Sequence, residues 1–242
     1  MVEAASLLAP LAAAPDRVAL VFDVDGTLAP IAERPELARV PDATRAELER
    51  LAGRYLLVAC LSGRTGAEAA HLVGVEGIRY VGNHGLELDP HADEMALAIA
   101  RFRVSVEGRW PIEDKRLSLS FHYRETAEEA SALTALAAIA ELAHDDGLDA
   151  RWGRKVLEVR PRVGMDKGAA VHFLVLDAHA SSGLYAGDDA TDLDAFRGLA
   201  DSALRHVVRV AVASAESPPG LLEAADLVVG SPAELATLLR LL

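Results

Sequence analysis

The sequence predicts an α/β protein, a parallel sheet interrupted once by a smaller sheet-and-helix insertion. Three observations lead there. Continuous apolar runs alternate with Ala-, Leu- and Glu-rich helical stretches, as strands buried on both faces and joined by helices require. Three of these strands run into polar loops, Asp23-Val24-Asp25-Gly26-Thr27, Ser62-Gly63-Arg64 and Gly187-Asp188-Asp189, at the strand ends where open α/β sheets keep their sites. Between about Leu86 and Gly164 the pattern changes to strict apolar/polar alternation, the mark of a half-buried antiparallel sheet.

In chain order, Leu7 to Ala14 reads as an N-terminal helix rather than a leader, since no Lys or Arg precedes it and Pro10 interrupts it. Arg17 to Phe22 is the first strand. Asp42 to Gly53 is a helix, with Pro41 before it and Gly53 closing it. Tyr55 to Leu61 is the second strand, Gly66 to Val73 a helix, and Ile78 to Val81 a short strand leading into Gly82-Asn83-His84-Gly85. In the insertion, Leu117 to Tyr123 and Lys155 to Arg160 are alternating strands, with a helix over Ala127 to His144 between them. The α/β pattern resumes with a helix from Asp166 through Leu176, a strand at Leu184 to Ala186 and a helix at Asp192 to Leu199. Strands at Val207 to Val212 and Asp226 to Val229 follow, and an amphipathic helix covers Pro232 to Leu242. The division is a core of residues 1–86 and 165–242 and an inserted unit of residues 87–164.

A chain of 242 residues with 51% hydrophobic and 5% aromatic content can bury a large aliphatic core. The net charge of −13 argues against general nucleic-acid or anionic-membrane binding, so an anionic substrate needs a local basic pocket. Cys60, the single cysteine, lies in an apolar run and reads as a core thiol in a reducing compartment. With no apolar stretch long enough to span a bilayer, the expected location is cytoplasmic.

Asp23 and Asp25 are separated by one residue and leave the first strand together. One carboxylate can attack phosphorus, and the other can protonate the leaving oxygen and then activate water. A strand-end turn would use Asp and Gly as well, so Asp-x-Asp alone is weak. Asp188, Asp189 and Asp192 add carboxylates that only a cation neutralises cheaply, although Asp189 or Thr191 also suits a helix N-cap. Ser62 offers a hydroxyl and Gly63 close backbone approach, while Lys167 opens a helix where the chain returns to the core.

Asp-x-Asp-Gly-Thr, then Ser, then Lys, then Gly-Asp-Asp resembles the four-part motif series of the haloacid dehalogenase-like hydrolases. The resemblance implies a Rossmann-like core with an inserted α+β cap of type C2 and Mg²⁺-dependent phosphoryl transfer through an aspartyl-phosphate at Asp23. Asp25 would act as acid and base, with Ser62 and Lys167 on the phosphoryl oxygens and Asp23, Asp25, Asp188 and Asp192 around the metal. Glu113-Asp114-Lys115, Phe121-His122-Tyr123-Arg124 and Gly-Asp-Asp-Ala-Thr-Asp further resemble trehalose-6-phosphate phosphatases. That likeness implies that Glu113, Lys115 and Glu158, with Arg124 as a further candidate, contact sugar hydroxyls. Gly63 and Arg64 after the second strand, and His84 between glycines at the junction of the two parts, read as pocket residues, and His122 reads as structural. The likeness also implies a sugar phosphate as small-molecule partner, trehalose 6-phosphate first, with another sugar or pseudo-disaccharide phosphate such as sucrose phosphate or a glycosyl-phosphoglycerate as alternative, and a non-catalytic sugar-phosphate sensor as the rival from another class. With no glycosyltransferase segment in the chain, a synthase partner would be a separate protein. Leu193 departs from the family, many members of which are acidic there.

Overall fold

The computed structural model describes residues 2–32, 34–153, 155–215 and 217–242. It divides into two units, Met1–Gly85 with Met165–Leu242, and Leu86–Gly164.

The first unit begins with α1 (Val2–Ala13), β1 (Val18–Phe22), α2 (Asp42–Ala52), β2 (Leu57–Leu61), α3 (Gly66–Val73) and β3 (Arg79–Val81). In the second unit follow α4 (Ala92–Ser105), β4 (Glu113–Asp114), β5 (Leu119–His122), α5 (Glu129–Asp145), β6 (Leu148–Gly153) and β7 (Val156–Pro161). The chain then returns with α6 (Lys167–Asp177), β8 (Ser182–Gly187), α7 (Ala190–Ala200), β9 (His206–Val212), α8 (Pro219–Ala224), β10 (Leu227–Val229) and α9 (Pro232–Leu239).

The core sheet is parallel throughout, in the order β10-β9-β8-β1-β2-β3. All five residues of β1 are buried, which accounts for its unbroken apolar sequence. One face, carrying Leu20, Phe22, Val58, Cys60, Leu184 and Val210, packs with Leu8 and Leu11 of α1, Leu48 and Leu51 of α2 and Leu235 and Leu239 of α9. Helices α6 and α7 pack against β1 and β8, and against each other so closely that a Cβ on Gly198 would lie 2.1 Å from the Gly168 carbonyl oxygen. The strand order reverses at β1, with β2 and β3 on one side and β8, β9 and β10 on the other. The C-terminal end of β1 is therefore the topological switch point, where an open parallel sheet leaves a crevice for ligands.

In the second unit the sheet order is β4-β5-β7-β6, antiparallel at every pair. Leu119 and Phe121 of β5 and Leu157 and Val159 of β7 form its core with Ile99 and Phe102 of α4 and Leu136 and Ile139 of α5. The register sets Glu113 opposite Ser120 and Ser120 opposite Glu158, so these three side chains share the other face.

Every strand and helix expected from the sequence is present, most with shifted ends. The second strand starts at Leu57 rather than Tyr55, because the amides of Arg54 and Tyr55 bond back to Leu51 and complete the helix turn. Sequence reading did not find α4, β4, β6 or α8. Strand β6 carries Asp149 and Arg151 at alternate positions on a sheet edge, and β4 pairs through only two residues, so neither has an apolar run to announce it. Among the described residues, no helix is long and apolar enough to cross a membrane.

Candidate active site

The site begins where β1 ends. The Asp23 amide donates to the Ala186 carbonyl at 2.9 Å, extending the β1–β8 ladder by one residue and holding the nucleophile candidate rigid against the sheet. The chain then turns at Gly26, whose φ of +94° belongs to the left-handed region. A Cβ there would lie 2.1 Å from Asp188 Oδ2, so both backbone and space demand glycine. Thr27 Oγ1 donates to Asp188 Oδ1 at 3.1 Å, tying the first acidic loop to the one after β8.

Lys167, at the start of α6, is only 3% exposed, and its ammonium donates to Asp23 Oδ1 at 2.6 Å and to Asp192 Oδ1 at 2.7 Å. Asp166 caps that helix by accepting from the Ala169 amide, which fixes the first turn and with it the lysine. Asp192 is fully buried and accepts four bonds. Oδ1 takes Lys167 and the Tyr185 hydroxyl, at 2.7 Å each; Oδ2 takes the backbone amides of Asp188 at 2.8 Å and Asp189 at 2.9 Å. Asp189 itself caps α7, so the capping role weighed for it coexists with the acidic cluster.

These contacts divide the carboxylates electrostatically. Burial drives Asp23 well above the usual carboxylate range, Lys167 pulls it back in part, and Asp192 and Asp188 add repulsion. Burial, with Asp192 beside it, pushes Asp188 up to about 7. Burial would raise Asp192 too, but Lys167 and the donors around it hold it below the usual range. Burial alone would lower Lys167, yet Asp192 and Asp23 keep it raised and charged.

Asp23, Asp188 and Asp192 offer oxygens that all lie within 4.8 Å of one another, so this acidic group can hold a metal ion. The charge fits: among the described residues of the cluster, one ammonium faces three buried carboxylates, which leaves the balance a divalent cation supplies. The free lone pairs belong to Asp23 and Asp188, since the acceptor positions of Asp192 are filled.

Arg64 binds Asp25 in a fork, Nε to Oδ2 and Nη2 to Oδ1, both at 2.7 Å. It thus sits on the acid/base candidate itself. Ser62 is buried at the end of β2, and its Oγ accepts from the Arg64 amide at 3.1 Å. The imidazole of His84 lies against Gly63, where a Cβ would be 2.7 Å from Cε1 and Nε2, and its amide donates to the Ser62 carbonyl. Asp23, Asp25, Ser62, Gly63, Arg64, His84, Lys167, Asp188 and Asp192 therefore all belong to the first unit.

The second unit holds Glu113, Lys115, Arg124 and Glu158. Glu113 and Glu158 flank Ser120 on one sheet face, and Lys115 Nζ lies 3.5 Å from Glu113 Oε2. Arg124 is exposed beyond the end of β5 and forms no ion pair among the described residues. Leu193 points toward α8, its Cδ1 3.8 Å from where a Cβ on Gly220 would be. Sequence reading missed Tyr185 and Thr27. A tyrosine inside an apolar strand must find a buried hydrogen-bond partner, and its place three residues before Asp188 was the available signal.

This architecture is that of the haloacid dehalogenase-like hydrolases. A haloacid dehalogenase-like hydrolase from Bacteroides thetaiotaomicron superposes with a TM-score of 0.62 at 14% identity, covering 93% of this chain and 98% of that one. A trehalose-6-phosphate phosphatase related protein superposes with a TM-score of 0.73 at 20% identity, over 92% of this chain and 95% of that one. The chain belongs to the trehalose-phosphatase family, whose sequence model it matches over residues 21–101 and 104–220. A trehalose-phosphate phosphatase of Mycobacterium avium (strain 104) is 39% identical over 198 residues, 74% of this chain and 50% of that protein. The chain thus spans about half the length of the curated relatives it matches.

Proposed function

We propose that the chain is a Mg²⁺-dependent phosphatase that hydrolyses trehalose 6-phosphate to trehalose and phosphate through an aspartyl-phosphate on Asp23. The observation that carries this reading is the buried Lys167 spanning Asp23 and Asp192, beside an acidic group whose excess charge suits a divalent ion. Family membership supports the substrate, and the sugar-facing residues are Glu113, Lys115 and Glu158.

Mg²⁺, held by Asp23, Asp188 and the main-chain carbonyl of Asp25, would supply charge neutralisation at the phosphoryl oxygens. An Asp23 carboxylate oxygen attacks phosphorus as the bond to the sugar oxygen breaks, and Asp25 gives that oxygen its proton. Asp25 then takes a proton from the water that attacks the aspartyl-phosphate, releasing phosphate and restoring Asp23. Lys167 and the Ser62 hydroxyl stabilise the phosphoryl oxygens, while Asp192 aims Lys167 and holds the Asp188 amide. Arg64 fixes the plane of the Asp25 carboxyl.

Phosphate release from trehalose 6-phosphate, glucose 6-phosphate and sucrose 6-phosphate, with Mg²⁺ and with EDTA, tests the proposal. Selective, EDTA-sensitive turnover of the first is expected, with no measurable release by Asp23→Asn. Substantial release by Asp23→Asn would remove Asp23 as nucleophile, and turnover of another phosphate alone would keep the chemistry and overturn the substrate.

A further inference from the structure

We infer that His122 is a positioning residue that orients the Glu113 carboxylate toward a sugar hydroxyl; the inference rests on the reading of Glu113 as a substrate contact. The backbone holds Glu113 weakly. It lies in β4, a two-residue edge strand whose pairing is limited to Glu113 with Ser120 and Asp114 with Leu119. A glutamate there has three rotatable side-chain bonds and is partly exposed, so without a neighbour to hold it, it would lose that freedom on meeting a ligand.

The sheet supplies the neighbour. Side chains two residues apart on a strand share a face, so His122 stands beside Ser120 on the side that carries Glu113 and Glu158. From this diagonal position His122 Nε2 lies 2.7 Å from Glu113 Oε2. Lys115 Nζ approaches the same oxygen at 3.5 Å. Trp110 Nε1 donates to the His122 main-chain carbonyl at 2.9 Å, fixing the end of β5 from which the imidazole projects.

Two donors thus converge on Oε2, and among the described residues none is placed on Oε1. That oxygen is the acceptor presented to a ligand, in a plane set by the imidazole. The same hydrogen bond is the main reason the Glu113 carboxyl is held below its usual range, which keeps it an acceptor. A pyranose offers hydroxyls at fixed angles, so a carboxylate of fixed plane discriminates among sugars where a swinging one does not. The sequence motif Phe121-His122-Tyr123-Arg124 thereby gains a specific task for its histidine, in place of the structural role expected from the sequence.

Steady-state kinetics on trehalose 6-phosphate and p-nitrophenyl phosphate at saturating Mg²⁺ test this. The proteins compared are the wild type, His122→Ala, His122→Gln, Glu113→Gln and the double variant His122→Ala/Glu113→Gln, each shown to be folded by circular dichroism. His122→Ala should raise KM for trehalose 6-phosphate about 5- to 10-fold with little change in kcat, and lower the preference over p-nitrophenyl phosphate by the same factor. His122→Gln, whose amide can donate from the Nε2 position, should recover most of the loss. In the Glu113→Gln background, His122→Ala should add less than about 2-fold, since the two residues act through one contact.

If Glu113→Gln raises KM but His122→Ala leaves it unchanged, or if the two effects multiply fully, the inference is overturned and the substrate reading stands. If His122→Ala lowers activity on both substrates equally, the histidine is only structural. If Glu113→Gln leaves KM for trehalose 6-phosphate unaltered, the substrate reading of Glu113 falls, and the inference with it.

Discussion

At the scale of single residues, the site is governed by how many donors each buried carboxylate can collect. Asp192 collects four and is the most firmly ionised, while Asp23 has Lys167 and strong repulsion. Tyr185 is one of the four, contributing a fully buried hydroxyl at 2.7 Å that no other group of the motif replaces. Tyr185→Phe should therefore cost about 1.5–3 kcal/mol of stability, the range for a hydrogen bond to a charged group. Urea denaturation measures it, and a change within error would mean that water substitutes for the hydroxyl. Asp23, Asp25, Ser62 and Asp188 stand out in the sequence because they follow apolar strands, and Lys167 because it opens a helix where the chain returns to the core. Their mutual contacts do not. Lys167 and Asp23 are 144 residues apart, and nothing local in either segment says that the ammonium reaches both Asp23 and Asp192. For the same reason the sequence places Arg64 by the pocket without disclosing its fork onto Asp25.

At the scale of elements, positions are set by two kinds of contact: backbone touching backbone, and ion pairs at sheet edges. Helices α6 and α7 meet where Gly198 lies against Gly168, one residue beyond Lys167, so their separation determines where the ammonium sits. Gly198→Ala would force them apart; a loss of about 1–3 kcal/mol is expected, a fall in Tm of several degrees for a chain of this size. Calorimetry checks it, and an unchanged Tm would show that the contact yields freely. At the other end of the sheet, Asp226 holds Arg209 in a fork at 2.8 and 2.9 Å and also accepts from its backbone amide, pinning the short β10 to β9. Burial would raise Asp226, but the bonds from Arg209 outweigh it and depress its pKa. A depressed carboxylate stabilises the fold above its unfolded pKa of about 3.9 and loses that contribution as pH falls through the lower folded value. The partly exposed pair is worth about 1 kcal/mol at most. Asp226→Asn should therefore lower the urea midpoint at pH 7, and the gap to wild type should narrow as the pH falls below about 3.9; a gap that stays constant into acid would assign the effect to packing. Long apolar runs made the central strands legible, whereas β4 and β6, paired at sheet edges and rich in charge, gave periodicity nothing to detect.

At the scale of the whole molecule, the sequence disclosed an α/β core with one insertion because the hydrophobic pattern changes period and then changes back. The net charge of −13 concentrates part of its cost in the buried acidic cluster, so ion binding should register in global stability. With Mg²⁺ at about 100 times its Kd, linkage gives about 2.7 kcal/mol, a rise in Tm of roughly 5–10 °C. Asp188→Asn should abolish most of the rise, and an equal rise in that variant would place the ion elsewhere. The manner of insertion has its own consequence. The chain leaves the first unit at Gly85 and re-enters it at Met165, and these points adjoin: a Cβ on Gly85 would lie 3.1 Å from the Asp166 carbonyl oxygen and 3.6 Å from Met165 Cγ. To the core, everything between is a single loop with its mouth already closed, and the entropy of closing a loop rises only slowly with its length. Such a junction accepts cassettes of very different size at nearly constant cost, so the first unit can keep its carboxylates fixed while the inserted unit is exchanged or lengthened.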